Sequence, residues 1–166
     1  MGGRSSSSVR GTRSGRGEGR RRHDPYKLDA KLPGSAFCGS CGVSYAHGRW
    51  SWAPRGAAAE MRTCPACRRI ADKVPAGILR VSRDVARSFD ELMHLMWNRE
   101  HRERSQHPLE RVLAVRSSRD WIQIETTGVH LARRLGSAIA RTFHGELETE
   151  YLRGQDLARI SVTPRG

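Results

Sequence analysis

The segments Cys38-Gly-Ser-Cys41-Gly42 and Cys64-Pro-Ala-Cys67 contain every cysteine of this 166-residue chain. Twenty-two residues separate the two Cys-x-x-Cys pairs, slightly more than the roughly 15–20 of a typical ribbon and still within reach of a hairpin. Two tight turns that each supply two thiolates are the usual way to build a tetrahedral zinc site. Gly42 can take a positive φ beside the first pair, and Pro65 stiffens the second turn. The pattern predicts a structural zinc ribbon that binds Zn²⁺ through Cys38, Cys41, Cys64 and Cys67.

Other uses of the four cysteines fit the sequence less well. A disulfide framework needs an oxidising compartment, and residues 1–8 lack the apolar stretch of a signal peptide. A thioredoxin-like pair opens a helix within a βαβ unit, and we expect no such unit after either pair. A catalytic zinc keeps an open position, usually beside a carboxylate, but Glu60 is the only acid between the pairs. His47 is a weak fifth candidate, because four thiolates already complete the shell.

The net charge of +13 points to a polyanionic partner, with nucleic acid first. Nearly all of the basic residues are arginines, whose planar guanidinium suits phosphate and stacks on bases. No apolar run approaches the roughly 18 residues of a membrane span. Met1-Gly2 with Ser6 matches an N-myristoylation pattern, but that pattern is short and common. We expect a cytoplasmic protein with no membrane partner.

Composition divides the chain into three parts. Residues 1–33 form a disordered basic arm and linker, residues 34–77 the zinc ribbon, and residues 78–166 an α+β domain. The arm is rich in Gly, Ser and Arg, which favours phosphate contact on binding, although a solubilising tail is the alternative. Its candidate nucleic-acid contacts are Arg20, Arg21 and Arg22.

Hydrophobic periodicity in the C-terminal part predicts a helix followed by a ββαββ sheet unit, which is an α+β fold. Ser82 is the expected N-cap of the first helix, Thr126 or Thr127 that of the second, and Gly145 the stop of the second. The predicted ranges are helices at 82–104 and 128–143 and strands at 112–115, 121–125, 146–152 and 157–162. The predicted buried face of the second helix is Leu131, Leu135, Ala138, Ile139 and Phe143.

Arginines flank both cysteine pairs and line one side of the second predicted helix. Clustered arginines of this kind are typical of surfaces that contact phosphates. Any single arginine among them could equally be an ordinary solvent-exposed surface residue. Ser44-Tyr45 and Arg49 to Trp52 are predicted to form strands around a turn at His47-Gly48. Trp50 and Trp52 alternate on the second strand, where packing is favoured over base stacking. The predicted nucleic-acid contacts outside the arm are Arg49, Arg55, Arg62, Arg68, Arg69, Arg133 and Arg134.

Catalytic motifs are missing from the sequence. It has no phosphate-binding loop, no Gly-x-Ser-x-Gly elbow and no His-Glu-x-x-His helix. Glu146, Glu148 and Glu150 share one strand face, where opposing an arginine or facing solvent is more plausible than acid–base work. His94 and His101 are interpreted as solvated. We therefore expect a protein that is not an enzyme and has no small-molecule substrate.

Several segments together resemble a family of small, uncharacterised bacterial zinc-ribbon proteins over residues 24–163. The ribbon is also similar to the N-terminal ribbon of the ribosomal large-subunit export adaptor of eukaryotes and archaea, as is the block around His130. That similarity implies binding to the ribosome or rRNA. The segments are Asp24-Pro25-Tyr26, Cys38 to Gly42, His47-Gly-Arg-Trp50, Cys64 to Arg68, Asp72 to Gly77, His107-Pro-Leu-Glu-Arg111 and, most specifically, Thr126 to Gly136.

Two functional hypotheses follow from the sequence. The first is a zinc-ribbon protein that binds RNA or the ribosome. In this hypothesis the ribbon and the arm contact phosphates, and the α+β domain sets the orientation of the bound protein. The alternative is a transcription-associated or other protein-interaction adaptor that docks through its ribbon.

Overall fold

The computed structural model describes residues 24–26, 32–152 and 157–166, which form an α+β structure. The helices of this part of the chain are α1 (Pro65–Asp72), α2 (Phe89–Gln106) and α3 (Val129–Thr142). Its strands are β1 (Ala36–Phe37), β2 (Ser44–Ala46), β3 (Arg49–Ser51), β4 (Glu60–Met61), β5 (Gly77–Ser82), β6 (Val112–Ser117), β7 (Trp121–Thr126), β8 (Gly145–Tyr151) and β9 (Ala158–Pro164). The predicted contacts Arg20, Arg21 and Arg22 lie outside the described residues.

A small four-stranded sheet precedes α1, in the order β3-β2-β1-β4. We call residues 32–74 the cysteine module. Strands β2 and β3 form the predicted hairpin around His47 and Gly48, whose φ angles are 51° and 81°. Two consecutive left-handed residues are what a type I′ turn requires, and this turn matches the twist of the flanking strands.

Helix α1 was not predicted from the sequence. The helix begins on the second pair, with Cys64 as its N-cap and Pro65 in its first turn. Proline suits that position because the first N–H groups of a helix have no intrahelical partner. The preceding strand β4 and the following strand β5 lie in different sheets. The pair therefore does not open a helix within a βαβ unit.

The second sheet has five strands in the order β6-β7-β5-β9-β8. We call residues 75–166 the sheet domain. Strand β5 is central, because it pairs antiparallel with β7 and parallel with β9. The sequence analysis missed this strand, so the predicted ββαββ unit lacked its middle member. Its first residue, Gly77, also lies within the range predicted for the ribbon.

The predicted helix 82–104 begins later than expected. Helix α2 starts at Phe89, and its N-cap is Ser88, whose Oγ accepts a hydrogen bond from Glu91 N at 3.3 Å. Ser82 instead ends β5. Burial explains the strand, since Leu79 and Val81 are fully buried and alternate with the exposed Arg80.

Helices α2 and α3 pack on one face of the five-stranded sheet and form the main core. The predicted buried face of α3 is confirmed, except that Phe143 is only partly buried. Sheet and helix side chains interdigitate in this core, among them Leu79, Val81, Ile122, Ile124, Ile160 and Val162 from the strands and Leu92, Met96, Leu131, Leu135 and Ile139 from the helices.

The end of α3 differs from its prediction at Gly145. The helix ends at Thr142, and His144, with φ 55°, takes the left-handed conformation that we had assigned to the glycine. Gly145 opens β8, where an added Cβ would lie 2.7 Å from a methyl carbon of Val162. The glycine therefore serves close packing and not helix termination.

Candidate metal centre and basic cleft

The structure brings the four predicted ligands together. The Sγ atoms of the four cysteines all lie within 4.8 Å of one another, and those of Cys41 and Cys64 are 3.7 Å apart. A tetrahedral shell with Zn–S bonds of about 2.3 Å has sulfur–sulfur edges of about 3.8 Å. The four cysteines are unbridged. This donor set can therefore hold one four-coordinate metal ion.

Local backbone geometry presents the first pair of sulfurs. Cys38 N donates to Val43 O and Gly42 N donates to Cys38 O, both at 2.8 Å, which closes a tight turn. Gly42 has a φ of 78°, the left-handed conformation predicted for it. The turn aims Cys38 and Cys41 at the same point.

The second pair is presented by the start of α1. Cys67 N donates to Cys64 Sγ at 3.4 Å, and Cys64 N donates to Cys38 Sγ at 3.4 Å. Such N–H···S bonds favour the thiolate form of the accepting sulfur. Backbone donors thus prepare the cysteines to carry negative charge, as metal ligands must.

Burial and these hydrogen bonds act in opposite directions on the thiols. Burial raises the pKa of Cys38, but N–H groups of Cys64, Ser40 and Cys41 outweigh it and lower that pKa to about 6. Burial dominates at Cys64 and raises its pKa, and burial also raises the pKa of Cys67. Of these three thiols, Cys38 is therefore the one most readily ionised at neutral pH.

Arg111 of the sheet domain reaches the cysteine cluster, and the sequence analysis missed it as a site residue. Its guanidinium donates to Cys41 Sγ at 3.0 Å and to Cys67 Sγ at 3.4 Å. Its Nε donates to Pro108 O at 2.8 Å, and the residue is only 5% exposed. Burial lowers the pKa of Arg111, but the hydrogen bond to Cys41 and the nearby cysteines raise it above its usual value. The only sequence signal was its place in the His107–Arg111 segment of the resemblance.

A cleft of about 1330 Å³ runs between the cysteine module and the sheet domain. Strand β3 supplies one wall, including Arg49 and Trp50, and the start of α3 supplies the other, including His130, Arg133 and Arg134. We call this space the basic cleft. It brings together arginines that lie more than eighty positions apart in the sequence.

The Asp24–Tyr26 segment also lines the cleft. Asp24 forms a buried ion pair with Arg69, and the Tyr26 ring lies 4.3 Å from the Arg69 guanidinium. The Tyr26 hydroxyl donates to Asp72 at 2.9 Å. These contacts fix the chain on α1 immediately after the basic arm.

The remaining predicted arginines have different environments. Arg69 is 4% exposed and paired with Asp24, so its guanidinium is engaged inside the module. Arg55 lies over the Phe37 ring at 3.7 Å, and Arg62 pairs with Glu60 at 2.9 Å. Arg55, Arg62 and Arg68 are exposed, but they are not among the residues that line the cleft.

The two tryptophans of the hairpin are used in packing. Trp50 lies against Tyr45 with ring centroids 5.4 Å apart, and it packs on the cysteine cluster. Trp52 is 43% exposed, and its indole N–H donates to Arg104 O of α2 at 2.7 Å. Trp52 therefore gives the module a second polar contact with the sheet domain.

An acidic side chain occupies the start of α3. The predicted caps Thr126 and Thr127 precede the actual N-cap, Gly128, which offers no side-chain hydrogen bond. Glu110 Oε2 instead accepts from Leu131 N at 2.9 Å. Burial raises the pKa of Glu110 despite this hydrogen bond.

Comparison with protein-family models, curated proteins and solved structures found no match to this chain. Within the described ranges, each helix is too short or too polar to cross a lipid bilayer.

Proposed function

We propose that the protein binds single-stranded RNA along the basic cleft, and that Zn²⁺ bound by the four cysteines keeps the module wall of that cleft folded. One observation carries the proposal. Arg49 of the module and Arg133 of α3 line the same cleft, although each belongs to a separate sheet unit. Arginines that converge across a cleft suit a phosphate backbone better than arginines scattered over a surface.

Zinc is the metal that best fits the donor set. Four thiolates at tetrahedral spacing leave no open position for water, which is the arrangement of structural zinc sites. The ion would contribute folding free energy to a module with few buried apolar side chains. The cysteines therefore act on RNA only indirectly, by holding β3 and its arginine in place.

Four arginines line the cleft against three carboxylates, those of Asp24, Glu103 and Glu110, and this excess of positive charge favours an anionic ligand. Arg134 is paired with Glu103 at 3.1 Å, and Asp24 is paired with Arg69. Among the described residues, no ion pair involves Arg49 or Arg133. These two guanidinium groups are the ones we assign to phosphates.

The size and lining of the cleft favour a single strand over a duplex. Duplex RNA is recognised on extended surfaces that span about 16 base pairs. The cleft is smaller, and the aromatic side chains of its lining include Tyr26 and the exposed Tyr151. An aromatic side chain on which a base stacks contributes about 1–3 kcal/mol, and every base can use it.

The basic arm precedes Asp24 in the sequence, and Asp24 lines the cleft. Arg22 is two positions before Asp24. Arg20, Arg21 and Arg22 can therefore add phosphate contacts at one end of the bound strand.

Salt-dependent RNA binding tests the proposal. Fluorescence anisotropy with a labelled twelve-nucleotide RNA is measured at several salt concentrations for the wild type and for R49Q/R133Q. Each lost phosphate contact should reduce the magnitude of the slope of log affinity against log salt by about 0.7. The slope of the double variant should therefore be smaller in magnitude by about 1.4 than that of the wild type.

The control R87Q/R159Q removes the same charge from exposed positions away from the cleft lining. It should retain most of the slope. An equal loss in both variants would show binding by overall charge and not in the cleft, and a flat salt plot for the wild type would reject RNA binding.

A further inference from the structure

Arg111 contacts the metal centre with its side chain and the start of α3 with its main chain. Its two terminal nitrogens donate to Cys41 and Cys67. Its backbone N donates to Thr127 Oγ1 at 2.9 Å, and its carbonyl accepts from Thr127 N at 2.9 Å. Thr127 immediately precedes Gly128, the N-cap of α3. One residue therefore connects the cysteine cluster to the helix that supplies the second wall of the cleft.

The neighbours of Arg111 strengthen the same connection. Leu109 packs on the apolar cluster around the cysteines, and its carbonyl accepts from Thr127 Oγ1 at 2.6 Å. Glu110 points the other way and accepts from Leu131 N in the first turn of α3. Three consecutive side chains thus alternate between the module and the helix.

Charge makes this connection depend on a metal ion. Four thiolates around a divalent ion carry a net charge of −2, which a buried guanidinium partly neutralises through charge-assisted N–H···S bonds. Without the ion, no shared ligand holds the sulfur atoms in place, so the Arg111 guanidinium loses the fixed acceptors that Cys41 and Cys67 provide. A buried charge that loses its partner is strongly unfavourable, so the guanidinium moves and its segment loosens.

We propose that Arg111 is a positioning residue that couples metal occupancy of the cysteine cluster to the placement of α3, and thereby to the width of the basic cleft. The functional consequence rests on the proposed RNA binding. The coupling between metal and α3 is a separate property of the fold and is measurable without RNA.

Hydrogen exchange of the full-length protein tests the coupling. The informative amides are those of Thr127 and Leu131, because their acceptors are Arg111 O and Glu110 Oε2. Removing zinc with a chelator should speed exchange at both sites at least tenfold in the wild type. In R111M, both amides should exchange rapidly even with zinc, and chelation should change them little.

Zinc affinity, measured by competition with a chromophoric chelator, gives an independent readout. Loss of a partner that hydrogen-bonds a metal ligand typically costs about 10–100-fold in metal affinity, and we expect a loss in that range for R111M. R111K keeps the charge but lacks the fork that spans Cys41 and Cys67, so it should give a smaller loss. If R111M does not fold, R111K can be used in its place for both measurements.

The matched control is W52F, which removes the other polar contact between the module and the sheet domain, the bond from Trp52 to Arg104 O. It should keep wild-type zinc affinity and the response of Thr127 and Leu131 to chelation. Unchanged α3 exchange on zinc removal, or wild-type zinc affinity in both Arg111 variants, would overturn the proposal. Loss of RNA binding alone would leave the coupling intact and count only against the proposed function.

Discussion

Gly77 is the position at which the placement of α3 on the sheet can be tested most directly. A Cβ built on Gly77 would lie 2.5 Å from Ala132 Cβ and 2.6 Å from Thr126 Oγ1. It would also lie 3.2 Å from the carbonyl oxygen of Gly128. The first two distances are well inside van der Waals contact, and one of the opposing atoms belongs to α3. In G77A the helix must therefore move away from β5, or the central strand must bend.

The expected cost follows from the size of the overlap. Forcing one extra carbon into a well-packed core costs about 1–3 kcal/mol. Each kcal/mol corresponds to a fall in Tm of about 4–8 °C for a domain of 60–100 residues, so we expect G77A to melt about 4–24 °C lower. Because the start of α3 also carries Arg133, the affinity for single-stranded RNA should fall in the same variant.

The assay is thermal and denaturant unfolding of the zinc-loaded protein, together with the RNA titration. G56A is the matched control, because the nearest atom to a Cβ at Gly56 is Ser35 Oγ at 3.4 Å, an ordinary contact. It should remain within about 0.5 kcal/mol of the wild type. If G77A were equally stable and bound RNA normally, α3 would not be held against β5 at the distance described.

Two further changes test the metal centre and the acidic cap of α3. C41S leaves three thiolates and should lose much of the roughly 10–16 kcal/mol that links zinc to folding in such sites. The cysteine module should then unfold, while the sheet domain, which has its own core, should stay folded. If elemental analysis found one zinc ion per chain in C41S, Cys41 would not be a zinc ligand. Burial raises the pKa of Glu110 in the folded protein, so the folded state binds the proton more tightly than the unfolded state does. The unfolding free energy therefore falls as the pH rises from about 4.5 through the pKa of the folded state. In E110Q the amide oxygen can still accept a hydrogen bond from Leu131 N. Urea unfolding of this variant between pH 4.5 and 7 should not show the decrease in unfolding free energy. Parallel pH profiles for the variant and the wild type would refute the raised pKa of Glu110.

Local patterns in the sequence predict the parts of the structure that depend on local geometry. The Cys-x-x-Cys spacing predicts the cysteine cluster, because each pair is gathered by its own tight turn. The period of apolar residues predicts the buried face of α3. The His47–Gly48 turn is predictable because glycine accepts positive φ without strain.

The features that the sequence analysis missed depend on distant contacts. Strand β5 has only six residues, and the predicted helix began at its last residue, Ser82, so residues 78–81 were assigned to no element. Its identity as a strand comes from pairing with β7 and β9, which lie far along the chain. Arg111 is similar, because its partners Cys41 and Cys67 precede it by 70 and 44 positions. No local pattern distinguishes it from the surface arginines around it.

The order of residues 109–111 explains how one short segment contacts both the cysteine module and α3, which form the two walls of the cleft. Along this segment Leu109 and Arg111 face the module, while Glu110 faces α3. Each charge then lies beside the partner that favours it. The guanidinium lies against sulfur atoms that carry negative charge, and the carboxylate lies at the positive end of a helix. A segment of opposite charge order would place a carboxylate against the thiolates and a guanidinium against free N–H groups. The alternation of charge along these residues thus points each charged side chain toward a wall of opposite polarity, and this offsets part of the cost of burying Glu110.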